Sequence, residues 1–174
     1  MAEKKINFDT IKMLVLDVDG VLTDGGIIID ADGRESKKFN LLDGHGIRMW
    51  HRAGFCSVII SGRQAGATAA RAKQMEIQHI YENCHEKLEC FKKLLGDTKI
   101  KPEEIVYIGD DVLDIPVLRR VGFGVAVCNA SDDTKEHADY ITKKPGGSGA
   151  VREVIEYVLK TKGAWAELME RYLV

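Results

Sequence analysis

The chain is 174 residues long, with 45% hydrophobic and 30% charged residues, which fits an ordinary globular fold with one core rather than a disordered or fibrous chain. Its 25 Lys and Arg against 27 Asp and Glu leave a formal net charge of -2, which argues against nucleic acid held by counterion release and against a polybasic membrane-surface protein. No apolar run approaches the roughly 18 residues of a spanning helix, and the charged residues 1–9 lead into no apolar signal segment, so we expect a cytoplasmic protein with neither nucleic acid nor membrane as partner.

Short apolar runs then alternate with stretches of helical period, the pattern of βαβ units around a parallel sheet. Residues 12–18 read as the first strand, and residues 26–30 and 34–39, joined by Ala31-Asp32-Gly33, as a β-hairpin. Next come a helix near 43–53, a strand at 56–60, a helix at 64–75, a strand at 77–81 and a helix at 85–95. The remainder reads as a strand at 105–109, a helix at 112–121 that tolerates Pro116 near its start, a strand at 122–127, a helix at 132–137 and a strand at 139–142. A last helix spans 150–160 and can run on to Tyr172. Several strands are apolar almost throughout, as strands covered on both faces are. The fold class predicted is α/β, a three-layer Rossmann-like parallel sheet in a single domain over 1–174, with the hairpin at about 26–39 protruding from it.

A two-stranded hairpin is marginal alone in water, and Ile27, Ile28 and Ile29 on it need cover. Either it lies on the body of the domain or it packs against other copies of itself; a protruding apolar hairpin favours the second. The four cysteines, Cys56, Cys84, Cys90 and Cys128, include no C-x-x-C pair, and His79, Cys84, His85 and Cys90 fit no compact zinc finger. Buried or half-buried free thiols in a reducing compartment are expected.

The richest chemical signal is Asp17-Val-Asp19-Gly20 at the end of the first strand, followed by Asp24. A second carboxylate cluster, Asp110, Asp111 and Asp114, follows the apolar run Ile105–Gly109. A lone Asp at a strand end is usually a turn or cap residue, but two clusters at strand ends meet at the carboxyl edge of a parallel sheet, where open α/β folds bind ligands. Oxygen-only ligands that need their charge neutralised point to Mg2+. Ser61-Gly62-Arg63 after the strand at 56–60 offers a hydroxyl, approachable amides and a guanidinium, an anion cradle at a helix start. Lys87 alone would pass for a solvated surface lysine; the company it keeps raises it.

In order, placement and spacing, Asp17-x-Asp19-Gly-Val-Leu-Thr-Asp24-Gly25, Ser61-Gly62-Arg63, Lys87 and Gly109-Asp110-Asp111-x-x-Asp114 are similar to the four motifs of the haloacid dehalogenase superfamily of phosphatases. From about residue 12 to 172 the chain most resembles its small capless members that act on phosphorylated 3-deoxy sugar acids, with Phe39-Asn40-Leu41-Leu42-Asp43-Gly44-His45-Gly46-Ile47-Arg48, Arg71 and Gly146-Gly147-Ser148-Gly149-Ala150-Val151-Arg152 as added matches. The resemblance implies Mg2+ on Asp17, Asp110 and the backbone carbonyl of Asp19, nucleophilic attack by Asp17, acid and base work by Asp19, and stabilisation of the transferring phosphoryl by Ser61 and Lys87. Asp111 and Asp114 would orient Lys87 and metal-bound water. By the same resemblance Asp19, Asn40, Leu41, Leu42, Asp43, Gly44, Arg48, Gly62, Arg63, Arg71 and Lys87 bind a phosphorylated sugar acid. Arg63 stands where relatives acting on nine-carbon acids tend to carry an acidic residue, which favours an eight-carbon substrate of lipopolysaccharide precursor synthesis. Ser61 stands where Thr is common and His45 where Tyr is common. The implied assembly is a homotetramer built on the hairpins, each site roofed by a neighbour. The gaps after the first two strands are also too short for a cap domain, so water exclusion must come from another chain or the substrate.

The main rival reading is a sister phosphatase acting on another sugar acid or sugar phosphate, such as a nine-carbon 2-keto-3-deoxy acid phosphate. A phospho-accepting receiver is a rival of another class, but its middle strand ends in Asp, where this chain has Ser61. A non-catalytic scaffold would lack the nucleophile or a metal ligand, and neither is missing.

Overall fold

The computed structural model describes residues 4–174, leaving residues 1–3 of the charged start outside the described residues. Its centre is β1 (Met13–Leu16), buried at every position. The chain leaves β1 for the hairpin strands β2 (Ile28–Ile29) and β3 (Glu35–Ser36), then runs through α1 (Leu41–Arg52), β4 (Cys56–Ile60), α2 (Gly66–Gln74), β5 (His79–Tyr81) and α3 (Lys87–Thr98). It continues through β6 (Ile105–Gly109), α4 (Ile115–Leu118), β7 (Phe123–Ala126), α5 (Asp132–Glu136), β8 (Tyr140–Ile141), α6 (Ala150–Thr161) and α7 (Trp165–Glu170). Six strands form one parallel sheet in the order β5-β4-β1-β6-β7-β8.

Side chains alternate across a strand, and β1 shows what this does to an all-apolar run. Leu14 and Leu16 join one cluster with Ile47 and Trp50 of α1 and Val151 and Ile155 of α6. Met13 and Val15 join the opposite cluster with Phe91 and Leu94 of α3 and Val117 of α4. Both faces are covered, which makes the predicted three layers. Because β4 pairs on one side of β1 and β6 on the other, the chain switches direction there, and a crevice opens at the carboxyl ends of β1, β4 and β6.

Glycine sets one close packing distance. A Cβ on Gly46 of α1 would lie 2.9 Å from the Arg152 Cδ and 3.3 Å from its Cα, so a larger residue there would push α6 away by a few tenths of an ångström. The turn of the hairpin is held by the Asp30 carboxylate, which accepts from the amides of Asp32 and Arg34, with Gly33 at φ +78°.

Several boundaries differ from the sequence reading. The helix expected over 112–121 is a 3-10 turn, Val112–Asp114, followed by the single-turn α4, because the chain must turn at Gly122, whose amide bonds the Pro102 carbonyl 2.8 Å away. The last helix does not run on: Gly163 at φ +74° ends it, and α7 folds back so that Trp165 lies under Arg152 and Lys160. The hairpin strands are only two residues each, and Ile27, Ile28 and Ile29 are about half exposed or more, so the body of this chain does not cover them. The expectation of four free thiols is corrected: Cys84 and Cys90 form a disulfide across the start of α3, Cys56 is exposed, and Cys128 is half-buried. No helix among the described residues is long and apolar enough to cross a membrane.

Trp50 anchors the α1 side of the core; it is 1% exposed, its indole donates to the Cys56 carbonyl at 2.7 Å, and the Phe55 ring packs on it at a tilt of 39°. Trp50→Ala should cost about 3–5 kcal/mol in urea unfolding, whereas Leu41→Ala, at 79% exposure, should stay within about 0.5 kcal/mol of wild type.

Candidate active site

Asp17 is the residue after β1. Its amide still bonds the Ile108 carbonyl of β6 at 3.1 Å, so the ladder carries it past the last paired strand residue into the crevice. The next residues coil tightly, with the amides of Leu22 and Thr23 both on the Val18 carbonyl. Gly20 sits at φ +89°, and a Cβ there would collide with the Asp110 carboxylate. Side chains from β1 and β6 therefore meet only because the loop between them has none at that point.

Lys87 is the first residue of α3, and its side chain is 4% exposed. Its ammonium lies 2.9 Å from Asp17 Oδ2 and 2.5 Å from Asp114 Oδ1. Asp114 is fully committed: Oδ1 also accepts from the Tyr107 hydroxyl at 2.5 Å, and Oδ2 accepts from the amides of Asp110 and Asp111. Gly109 makes room for it, since a Cβ there would lie 2.5 Å from Asp114 Cβ. Carboxylate oxygens of Asp17, Asp110 and Asp114 all lie within 4.8 Å of one another.

Three acids around one ammonium are electrostatically crowded. Burial pushes the Asp17 carboxyl well above its ordinary range, against the pull of Lys87, with the charges of Asp114 and Asp110 adding to the rise. Asp110 is pushed up to about 6, first by burial and then by Asp114. Burial alone would lower Lys87, but Asp17 and Asp114 outweigh it and hold its pKa above the ordinary lysine value. With Asp114 spent on Lys87, Tyr107 and two amides, Asp17 and Asp110 are the acids with charge left to neutralise. That all-oxygen donor set suits a hard divalent cation.

Asp19, Gly62, Arg63 and Asp111 line the same hollow of about 270 Å³ as Asp17, Lys87 and Asp110. Ser61, the residue after β4, is 1% exposed, and its hydroxyl bonds the Arg63 backbone rather than facing the carboxylates. Asp111 caps the 3-10 turn by accepting from the Val112 amide; it makes no contact with Lys87, so only Asp114 of the two acids orients that lysine. Arg63 is held by Glu35 at 2.6 Å.

The expected sugar contacts divide. Gly44, Arg48 and Arg71 line a second hollow of about 350 Å³ with the exposed Leu41. Arg71 donates to the Asn40 carbonyl, and Arg48 to the Gln74 carbonyl. Asn40 caps α1 through the Leu42 amide and leaves Leu42 exposed. Asp43 is the departure. It is buried, and its carboxylate accepts from the amides of Gly149 and Arg152, which fixes the start of α6 rather than facing a ligand. The glycine run before α6 has its own reason: a Cβ on Gly146 would strike the Gly20 carbonyl and one on Gly147 would lie 2.6 Å from the Asp24 amide, so this backbone rests directly on the loop after β1.

Two functional neighbours escaped the sequence reading. Tyr107 interrupts the aliphatic run of β6, a signal that was visible, and its hydroxyl is buried against Asp114. Lys37, next to β3, is the other. Its side chain is 2% exposed, and its ammonium lies 2.5 Å from Asp19 Oδ1 and 3.5 Å from Glu35. A roomier hollow of about 520 Å³, beside Lys12, His51, Cys56 and His79, opens at the amino ends of β1, β4 and β5, the opposite ends of those strands from the acidic clusters.

The chain matches the haloacid dehalogenase-like hydrolase family over residues 61–155. It is 43% identical over 155 residues to the 3-deoxy-D-manno-octulosonate 8-phosphate phosphatase KdsC of Escherichia coli K12, covering 89% of this chain and 82% of that protein. Among solved structures, a probable YrbI family phosphatase from Pseudomonas syringae superposes with a TM-score of 0.94 at 44% identity, covering 96% of this chain and 95% of that one. The 3-deoxy-D-manno-octulosonate 8-phosphate phosphatase of Moraxella catarrhalis, solved with magnesium, phosphate and the sugar acid, superposes with a TM-score of 0.92 at 38% identity, covering 95% of each chain. On the strength of its crowded carboxylates at the switch point of a parallel sheet and of these matches, the chain belongs to the haloacid dehalogenase-like hydrolases.

Proposed function

We propose that this protein is a Mg2+-dependent phosphatase that hydrolyses 3-deoxy-D-manno-octulosonate 8-phosphate to the free sugar acid and inorganic phosphate through a phosphorylated Asp17. The observation that carries the reading is the buried Asp17 carboxylate, held at 2.9 Å by Lys87 beside Asp110. The similarity to phosphatases of that substrate, one of them solved with magnesium and the sugar acid, supports the metal and the substrate.

Mg2+, held by Asp17, Asp110 and the Asp19 carbonyl, would supply the positive charge that lets a carboxylate approach a dianionic phosphate. Lys87 holds Asp17 Oδ2 at 2.9 Å and so orients the carboxylate for in-line attack on phosphorus. Asp19, at the mouth of the hollow, gives its proton to the departing sugar oxygen and then takes one from the water that cleaves the aspartyl-phosphate. Lys87 and the Gly62 amide would face the equatorial oxygens, where charge collects in the transition state, and the Arg63 amide, which donates to the Ser61 hydroxyl, would be freed to join them when that hydroxyl turns. The Ser61 hydroxyl joins them on turning away from the Arg63 carbonyl. Arg63 in this hollow, with Arg48 and Arg71 in the second one, would supply the cationic groups for the sugar acid carboxylate.

The working form in this reading is a cytoplasmic homotetramer built from domains spanning 1–174. The bare isoleucines of the hairpin support it, because an apolar patch of that kind calls for cover, and so does the absence of a cap insertion between β1 and α1 or β4 and α2. The hairpins would provide the seam, with each neighbour closing the site.

Asp17→Asn should abolish phosphate release from 3-deoxy-D-manno-octulosonate 8-phosphate, by at least about 1000-fold, with an unchanged circular dichroism spectrum; a chelator should do the same to wild type. Normal turnover by the variant would refute the covalent scheme, and faster release from a nine-carbon acid phosphate would move the substrate assignment.

The crowding also sets a pH response. With its carboxyl at about 6 instead of 3.8, Asp110 in the folded, cation-free protein holds a proton that the unfolded chain has released. That contribution to stability is complete below the ordinary value and is lost as pH rises through about 6. Mg2+ competes with that proton. Its stabilisation, read as a melting-temperature shift, should be small at about pH 5 and grow by pH 7; an equal shift at both would contradict this.

A further inference from the structure

The hairpin is wired into the chemistry as well as exposed to solvent. Lys37, just after β3, points back over its own subunit's site: its side chain is 2% exposed, and its ammonium sits 2.5 Å from Asp19 Oδ1. Burying an ammonium costs several kcal/mol unless it is paired, and the partners here are Asp19 and, at 3.5 Å, Glu35. Glu35 in turn holds Arg63 at 2.6 Å, so the stem of the hairpin grips both the loop after β1 and the loop after β4. By contrast Lys38, the next residue, reaches Asp24 from a side chain that is 70% exposed, a surface pair worth little. Of the two neighbouring lysines, only the buried one touches the acid.

From this geometry we infer that Lys37 is a positioning residue for Asp19. The inference rests on the reading of the protein as a phosphatase with Asp19 as its acid. When the bond from Asp17 to phosphorus forms and the bond from phosphorus to the departing oxygen breaks, Asp19 passes its proton to that oxygen and is left as a carboxylate. Lys37 lies where that negative charge appears and fixes the direction in which the carboxyl points. A preorganised cation beside developing charge lowers the barrier to proton donation, and the gain is largest when the leaving oxygen is basic. Because Lys37 belongs to the hairpin stem, the seating of the hairpin and the competence of the acid are linked in one side chain.

The test compares leaving groups. With saturating Mg2+, kcat/KM is measured for p-nitrophenyl phosphate, whose leaving group needs little protonation, and for phenyl phosphate, whose oxygen is as basic as a tyrosine. This parameter reports steps only through the first irreversible one, so hydrolysis of the aspartyl-phosphate does not enter, and the ratio of the two substrates is independent of how much of a preparation is folded. Correct positioning of a general acid is worth about 100-fold or more. Lys37→Met should therefore depress phenyl phosphate at least about tenfold more than p-nitrophenyl phosphate, and Lys37→Arg, which keeps the charge, should recover most of the ratio. An unchanged ratio in Lys37→Met would overturn the inference, whether both activities fall together or neither falls, and so would failure of Lys37→Arg to recover it. A wild-type enzyme inactive on both aryl phosphates and on the sugar acid phosphate would instead refute the phosphatase reading itself.

Discussion

Buried carboxylates that outnumber their cations govern this molecule. Asp17, Asp110 and Asp114 converge within 4.8 Å, and one ammonium, Lys87, stands against them. Like charges at that separation in a partly dry crevice cannot all stay ionised without help. The fold resolves part of the conflict internally: Asp114 is satisfied by Lys87, by Tyr107 and by two backbone amides. What remains, on Asp17 and Asp110, is an unmet demand for positive charge at the point where a phosphate ester must be met by a nucleophile. The same imbalance that destabilises the cation-free site thus makes it a place for a divalent ion and an anionic substrate.

The scaffold exists to hold that conflict in place. Pairing β1 with β6 sets Asp17 beside Asp110, and pairing β1 with β4 sets Ser61 and Gly62 on the other flank. Side chains are withheld where backbones must close in: Gly20 under Asp110, Gly109 against Asp114, and Gly146 and Gly147 on the loop after β1. Asp43 contributes from inside, fixing the start of α6 and through it the glycine run that supports the site. The hairpin carries two roles, with bare isoleucines on its strands and a buried lysine in its stem.

Much of this could be read from the residues. The parallel sheet was legible because β1, β4 and β6 are apolar without alternation, and the site was legible because both acidic clusters directly follow such runs. Helix ends were less so: the stop at Gly163 and the short α4 depend on how the chain packs after each turn, which periodicity does not encode. The part Asp43 plays in fixing the start of α6 was not legible, because the amides it accepts from, Gly149 and Arg152, lie 106 and 109 residues further along the chain. Lys37 carried no sequence signal at all, since the two lysines of Lys37-Lys38 read alike and only the fold buries one against Asp19 and leaves the other exposed beside Asp24. The Cys84–Cys90 pair was missed because the expected compartment, rather than the separation of the two residues, decided the reading.

The most direct measurement is to mix the Mg2+-loaded enzyme with 3-deoxy-D-manno-octulosonate 8-phosphate, quench in acid within the first turnover, and locate any added phosphoryl group by peptide mass spectrometry. The phosphoryl group is expected on Asp17. Rapid phosphate release with Asp17 never modified, or with the phosphoryl group on another residue, would contradict it.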